Sequence, residues 1–522
     1  MYTIKGLMLF FVALGLTTVT YSQPEITVGK PYKVINGQGK FYFYKDHELL
    51  TVKKDDERLF IQKLNPENLS YLSVKESVVS QDGFEFIKLI KGKHFMFYSN
   101  RRGLIMREID FKSGAFKDGP RQIISAKGVV GNSTVFGAYG IPERAPNKYR
   151  VFVSKDSSIV GIQYTFKPEN VRDTENYEVV GVHIFDNNFT ELASCVLKMP
   201  YTESRMNNLA YSVDAQGKVY IVTSVFENES PADATLYRLE ILKVTPPGTE
   251  FVSTKVEMKG NFIKTIELFE GEDGSMTALG FYNKGKKPQN VDGIVRFKLA
   301  ADTMSGFKTY EIPLSILNQY TNERTRNKNN KQEEGAELKN LLLRDIVFNK
   351  DGSMMLISEQ FEKEIKYHSY YNGGFGGNYA SASTAYTNGD LLVAKIDSSG
   401  SLSWMKKLPK GYTSGSIGTT FSYLPGKDEH HFLFRDKMKN FDLQVDEKHS
   451  ASNGDILMAY TVNHETGKVK KTAILDIRNV KGMEVYQFTL NRIVAIAPSV
   501  FLFESYIGND EDVLVKVDLS KL

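Results

Sequence analysis

The sequence predicts an all-β chain closed into a β-propeller of about eight four-stranded blades. Three observations predict it: a turn-and-strand phrase recurs along the chain, its copies are about 55 residues apart, and no convincing helix interrupts the units. The first phrase is FEGEDGSMTALGFY from Phe269 and FNKDGSMMLISEQF from Phe348, with a looser copy, SVDAQGKVYIVTSVF, from Ser212. In the first two, an Asp/Gly turn (Asp273 and Gly274, Asp351 and Gly352) hands over to a β-rich run, which is a strand-entry signal.

A second phrase follows. It is DGIVRFKLAADTMSGF from Asp292, GDLLVAKIDSSGSL from Gly389, GDILMAYTVNHETGKV from Gly454 and DVLVKVDLSKL from Asp512, with a weaker copy, GLIMREIDFKSGAF, from Gly103. Asp390, Asp455 and Asp512 stand at its head, and it reads as a strand, a Gly turn and the start of another strand. Asp273 and Asp292 are 19 residues apart, and Asp351 and Asp390 are 39 apart, the excess matching an insertion over 367–387. Asp455 and Asp512 are 57 apart. Four short strands in a unit of this length fit the kelch-like and WD-like periods of ~40 to 50 residues. Such a unit cannot bury both its faces alone, so its neighbours must close around an axis.

Counting units gives starts near Tyr32, Gly83, Tyr149, Met206, Asn261, Leu341, Ser416 and Met483. The last unit supplies three strands, MEVYQFTLN, SVFLFESY and DVLVKVD; the fourth is expected from PEITVGKPYKV near the N-terminus, so that the terminal strands close the ring and protect its edges. Seven blades, or two smaller propellers, fit the less regular early repeats, and an elongated array of β-sandwiches is the rival architecture.

The chain opens MYTIKGLMLFFVALGLTTVTYSQPE, with Lys5 ahead of an apolar run and Thr20 and Ser22 two apart. This is the layout of a secretory signal peptide over residues 1–22, which leaves 23–522 as a single propeller domain. The run is shorter than the ~20 residues that span a bilayer, and no cysteine stands at the cleavage point to carry a lipid. IVAIAPSVFLF (493–503) is also too short to span, is split by Pro498, and reads as two strands meeting at a turn. The mature chain is therefore expected to be exported, without a membrane span, to the periplasm or cell surface. Its one cysteine, Cys195, reads as a buried structural thiol on a strand. The formal charge of +4 falls to +3 without Lys5, and the charges are interspersed without the basic stripe of a nucleic-acid binder.

Catalytic motifs are scarce. TSGSIGTT (413–420) lacks the first glycine of a nucleophile elbow, and there is no Walker loop, paired-histidine zinc helix or EF-hand. His430 and His431 in DEHHFLF are adjacent on a strand and so point to opposite faces, which prevents both from holding one ion. The acidic GNDEDVLVKVD (Asp510, Glu511, Asp512) offers oxygens that suit weak calcium binding. No metal and no cofactor is predicted, and the sequence names no carboxylate pair for glycoside hydrolysis.

Insertions at about 127–148, 317–339 and 367–387 are the better lead. The third places Tyr367, Tyr370, Tyr371, Phe375, Tyr379 and Tyr386 among glycines and serines, and reads as a flexible loop whose aromatic plates offer contact area at modest entropic cost. The second mixes charges and predicts a short helix from Glu333. The first is placed to cap one face of the ring.

AKIDSSGSLSW, from Ala394 to Trp404, resembles the docking motif of quinoprotein-type eight-bladed propellers, in which Ala, Asp, Gly and Trp lock adjacent blades. Ala394, Asp397, Gly400 and Trp404 fill these roles with altered offsets. Trp404 is the chain's one tryptophan, so the motif does not repeat around the ring and no quinone is implied. The broader phrase resembles uncharacterised secreted propeller-like proteins of Gram-negative bacteria, most clearly over Leu341 to Lys410. That resemblance implies fold and compartment and carries no activity. The expected function is a binding or scaffold module that holds an envelope or extracellular protein or glycan on its loop-bearing face. A glycan-active hydrolase or lyase using the axial channel and an envelope-assembly scaffold are the alternatives.

Overall fold

In the computed structural model, the described residues are 24–522 apart from 38, 56, 79–82, 131–135, 138–140, 143–147, 171, 228–236, 272, 285–289, 332–337, 373–376, 415–419 and 451–453. Eight antiparallel sheets form the ring, and each is a meander whose first strand lies innermost. The inner strands of blades 1 to 8 are Gly39–Lys45, Gly83–Ile90, Tyr149–Val153, Met206–Val213, Phe262–Glu270, Leu341–Phe348, Phe421–Pro425 and Val494–Ala497. Blade 8 takes its outer strand from the other end of the chain: Glu25–Val28 pairs with Glu511–Asp518, Glu25 opposite Asp518 and Val28 opposite Val515. The predicted closure by terminal strands is therefore the observed one.

Burial explains why these residues form strands. The second strand of blade 5, Met276–Asn283, is buried along its whole length, because a blade's middle strands are covered on both faces and so read as continuous apolar runs. Outer strands read differently: Ser70–Val78 of blade 1 is mostly exposed or half-buried. Each of the eight seams between neighbouring blades has its own buried apolar cluster, so the core is distributed around the ring.

Three boundaries and the burial of one side chain differ from the sequence reading. Blade 1 begins at Gly39, because Tyr32–Lys33 pairs with blade 8 instead. The inner strand of blade 8 is Val494–Ala497, and the stretch expected to supply it is divided between a small hairpin at Met483–Glu484 and a helical turn at Leu490–Arg492. In the charged insertion the helix is Glu323–Asn330, started by Asn322, whose side chain accepts from the Thr325 N–H; residues 333–337, where a helix was expected to begin, lie outside the described residues. Cys195 lies on the outer strand of blade 3, half-buried, and burial pushes its thiol up to about 11.

Candidate functional site

Because every blade runs in the same direction, the first-to-second and third-to-fourth turns share one face of the ring. The second-to-third turns and the connections between blades share the other. The turn face is built from the recurrent Asp/Gly phrases. Asp273 accepts from the Ser275 N–H at 3.2 Å, Asp351 from Ser353 at 2.9 Å and Asp397 from Ser401 at 2.8 Å. Gly274, Gly352 and Gly400 supply the left-handed φ of +72°, +79° and +76° that closes these turns. On the opposite face, Asp390 accepts from the Lys410 N–H and Asp455 pairs with Arg478 at 3.2 Å.

The insertions at 317–339 and 367–387 both emerge on that opposite face, the first as a connection between blades and the second as a second-to-third turn. The segment at 127–148 is also a connection between blades, and most of it lies outside the described residues. The aromatic insertion is not a loop: Met354–Asn372 pairs with Gly377–Ile396, and beyond a register shift between Glu359 and Phe361 the ladder runs from Phe361 opposite Asn388 to Asn372 opposite Gly377, with Tyr367 opposite Ala382, Tyr370 opposite Tyr379 and Tyr371 opposite Asn378. Tyrosine and threonine favour strands, and the glycines from Gly373 to Gly377 separate two pairing arms. Of the predicted contacts, Tyr367, Tyr370, Tyr371 and Tyr379 lie where only the backbone is described, and Phe375 lies outside the described residues. Tyr386 sits at the base of the hairpin, its ring 5.9 Å from that of Phe361 and packed on the Leu342–Phe361 pair.

Trp404 docks blade 6 on blade 7. Its indole N–H donates to the His464 carbonyl at 3.0 Å, and its ring lies against Gly467. The adjacent histidines diverge as the strand geometry requires. His431 contacts Thr461 and Ser499, each at 2.9 Å, and so faces blade 8. His430 lies between Tyr423 and His464, each at 2.9 Å, and His464 reaches Asp351 of blade 6 at 3.0 Å. Burial lowers both His430 and His431 to about 4, helped at His430 by the neighbouring His464 and Lys395. Asp351, His464 and Glu465 lie close enough to hold an ion, but the Lys395 ammonium already stands 2.8 Å from His464, 3.4 Å from Asp351 and 3.6 Å from Glu465. A lysine in that position supplies the positive charge a metal would bring.

Two buried charge clusters had no signal in the sequence. Between blades 8 and 1, the fully buried Lys53 ammonium donates to Glu504 at 2.8 Å and to Asp512 at 3.2 Å, and the phenols of Tyr32 and Tyr42 donate to Glu504 at 2.8 and 2.7 Å. Burial alone would raise Glu504, but Lys53 and the two phenols outweigh it and hold the carboxyl below its ordinary range. Burial and the charge of Glu504 raise Asp512; Asp510 and Glu511, its neighbours in the acidic stretch, stand at the turn and not in this cluster. In blade 6, Glu359 accepts from Arg344 at 2.9 Å and from Lys410. Arg344 is a bulge residue on the inner strand, and Glu85 of blade 2 occupies a matching bulge. Bulges re-aim side chains, and here both re-aimed residues are charged.

The axial wall carries Asp345 on the inner strand of blade 6, its side chain open to solvent. Desolvation by the protein around it raises its carboxyl against the pull of Lys88 from blade 2, the blade opposite in the ring. Tyr423 of blade 7 is raised to about 12 by burial and then by the Asp345 charge.

No protein-family model and no curated protein sequence matches the chain. Among solved structures it is similar to a prolyl endopeptidase, at 11% identity over 94% of this chain with a TM-score of 0.40. The match covers 55% of that enzyme, so the chain spans about half its length. It is also similar to the Dos1 propeller, at 8% identity over 95% of each chain with a TM-score of 0.37. An uncharacterised protein from Listeria monocytogenes EGD-e matches at 9% identity over 84% of this chain and 97% of that one, with a TM-score of 0.33. None of these likenesses carries an activity to this chain.

Proposed function

We propose that the protein is an exported binding module of the bacterial envelope that holds a protein or glycan on the face bearing its insertions. The observation that carries this reading is the asymmetry of the ring: the charged insertion and the long aromatic hairpin leave from one face, and the other has short turns. The hairpin continues the second and third strands of blade 6, so a rigid sheet supports it from below. Tyrosine on such a support gives contact area with little entropy left to lose.

The test is cross-linked capture from cells that make the protein, followed by binding of the purified pair. Wild type is compared with a variant in which residues 366–383 are replaced by Asn-Gly, joining Ile365 to Thr384, which are opposite in the ladder. This cut keeps the Tyr386 contact with Phe361. The expected result is an envelope protein or glycan bound by wild type and lost from the folded variant; equal binding by both removes the hairpin from the proposal.

Asp345 supports a second reading, a glycan-active hydrolase or lyase working in the channel, because a raised carboxyl is what a general acid needs. Glycan cleavage abolished by Asp345→Asn would favour it over the binding module. An assembly scaffold would instead show large-area protein contacts on either face.

A further inference from the structure

On the turn face, opposite the insertions, a cavity of about 180 Å³ opens between blades 5 and 6. Two aromatic rings stand on its wall at the ends of neighbouring inner strands: Phe269 and Phe348, edge to face with centroids 5.0 Å apart. Phe348 is 49% exposed, so its ring is open to the cavity. The charged residues of the wall mostly have partners. Asp273 holds Lys298 at 2.6 Å, Asp397 caps its own turn, and Glu270 accepts from the Ala215 N–H at 3.0 Å.

Arg296 is the exception. It makes no hydrogen bond or ion pair with any described residue, and its Nε is buried without a partner. The guanidinium lies against the turn at Gly400, where a Cβ would come within 2.6 Å of Nη1. The Gly400 carbonyl accepts from Lys308 at 3.2 Å and from Tyr310. A guanidinium offers five donors in a planar fork that matches a carboxylate, and leaving a buried donor unmade is costly. The arrangement therefore sets a guanidinium without a protein partner beside two aromatic rings on one cavity wall.

Size and lining narrow the occupant. A cavity of about 150 Å³ takes one benzene ring, so this one has room for a single six-membered ring with a carboxylate attached. Beside the rings, the wall carries Asn349 and Ser398, which can meet hydroxyl groups. We infer that this cavity binds a sugar acid of the hexuronate class, its ring stacked on Phe348 and its carboxylate held by Arg296. The site is on the opposite face from the hairpin and does not depend on the partner proposed there.

The test is titration of the purified protein with D-glucuronate, D-glucose and benzoate, followed by calorimetry and by ligand-observed NMR. Wild type is expected to bind glucuronate saturably, at least about tenfold more tightly than glucose, since a charge-assisted bidentate contact separates them. Benzoate, which lacks hydroxyls, is expected to bind more weakly than glucuronate. Arg296→Gln should bring glucuronate down to the affinity of glucose, and Phe348→Ala should weaken both sugars alike. The protein trimmed at 366–383 should bind as wild type does, which separates this site from the hairpin. No saturable binding by wild type, equal affinity for glucuronate and glucose, or a preference that survives Arg296→Gln would each overturn the inference. Benzoate binding as tightly as glucuronate would overturn the assignment to a sugar. The three-ligand comparison on wild type needs no variant to fold.

Discussion

The seam that closes the ring and the seam just before it do the same mechanical work with different chemistry. Between blades 7 and 8, seventeen buried apolar side chains meet among the described residues; between blades 8 and 1 there are six, beside the buried Lys53, Glu504 and Asp512. Blades 7 and 8 follow each other along the chain, and their seam forms from neighbours. The closing seam must bring together residues 451 positions apart. Apolar contact is undirected, whereas one ammonium between two carboxylates and two phenols fits in only one register. Buried ion pairs are weak evidence for stability and can instead fix register. This ring uses apolar area where the chain already fixes the neighbour and adds charge where it does not.

Removing the closing strand should have the largest effect. Deleting residues 24–34 takes away the outer strand of blade 8 and Tyr32, and leaves the apolar strand Glu511–Asp518 as a free edge. The expected outcome is aggregation and loss of a cooperative melt, followed by size-exclusion chromatography and thermal unfolding; a monomer with an unchanged melting temperature would show that closure contributes little.

A smaller cut separates charge from packing. Lys53→Met leaves two carboxylates buried without their counter-charge and should cost about 3–5 kcal/mol in urea unfolding. Adding Glu504→Gln and Asp512→Asn should recover most of that, since neither amide needs a counter-charge and the one at position 504 can still meet Tyr32 and Tyr42. In the apolar seam, Leu433→Ala should cost about 2–5 kcal/mol, and no second substitution of polar groups should recover it. If the triple variant is as unstable as Lys53→Met, the cluster is needed for more than charge balance.

Much of the ring was legible in the sequence because it rests on local patterns. The Asp/Gly turns at Asp273, Asp351 and Asp397 announce themselves within five residues. A last unit with three strands and an orphan strand after Gln23 implies closure. The divergence of His430 and His431 follows from a period of two. What the sequence hid depends on distance or on register. Lys53 in TVKKD and Glu504 in LFESY read as solvent-facing charges until the ring brings them together. The glycine and serine content of residues 367–387 points to a loop, whereas the tyrosine, serine and threonine on either side of Gly373 to Gly377 favour the hairpin. Arg296 has no sequence signal, because lacking a partner is a property of its surroundings.

Acid should act on both seams of blade 7. The folded state holds His430 and His431 at about 4, below the ordinary value near 6.5 in the unfolded chain. The unfolded chain therefore binds protons first as pH falls. Their contribution is complete above about pH 6.5 and is lost as pH drops toward 4, at up to about 1.4 kcal/mol per pH unit for each histidine. His431→Gln, which can still meet Ser499 and Thr461, should flatten the slope of unfolding free energy against pH by about one proton between pH 6 and 5. A slope unchanged by the substitution would mean that the buried histidine does not titrate on unfolding as argued.

The smallest effects lie in three turns whose glycines share a conformation and differ in surroundings. Gly274→Ala forces an L-residue to φ +72° with nothing within 4 Å of the new Cβ, so it measures the left-handed backbone alone, about 1–2 kcal/mol. Gly352→Ala adds a contact with Ser398 at 3.3 Å, which can give slightly. Gly400→Ala puts the Cβ 2.6 Å from the Arg296 Nη1, but that atom is the end of a flexible side chain that can swing aside. All three should therefore melt within a few degrees of one another. Only Gly400→Ala should displace Arg296 and weaken glucuronate binding without changing glucose binding. A loss of glucuronate preference in the Gly400 variant but not the other two would tie that preference to the position of the guanidinium and not to the stability of the turn.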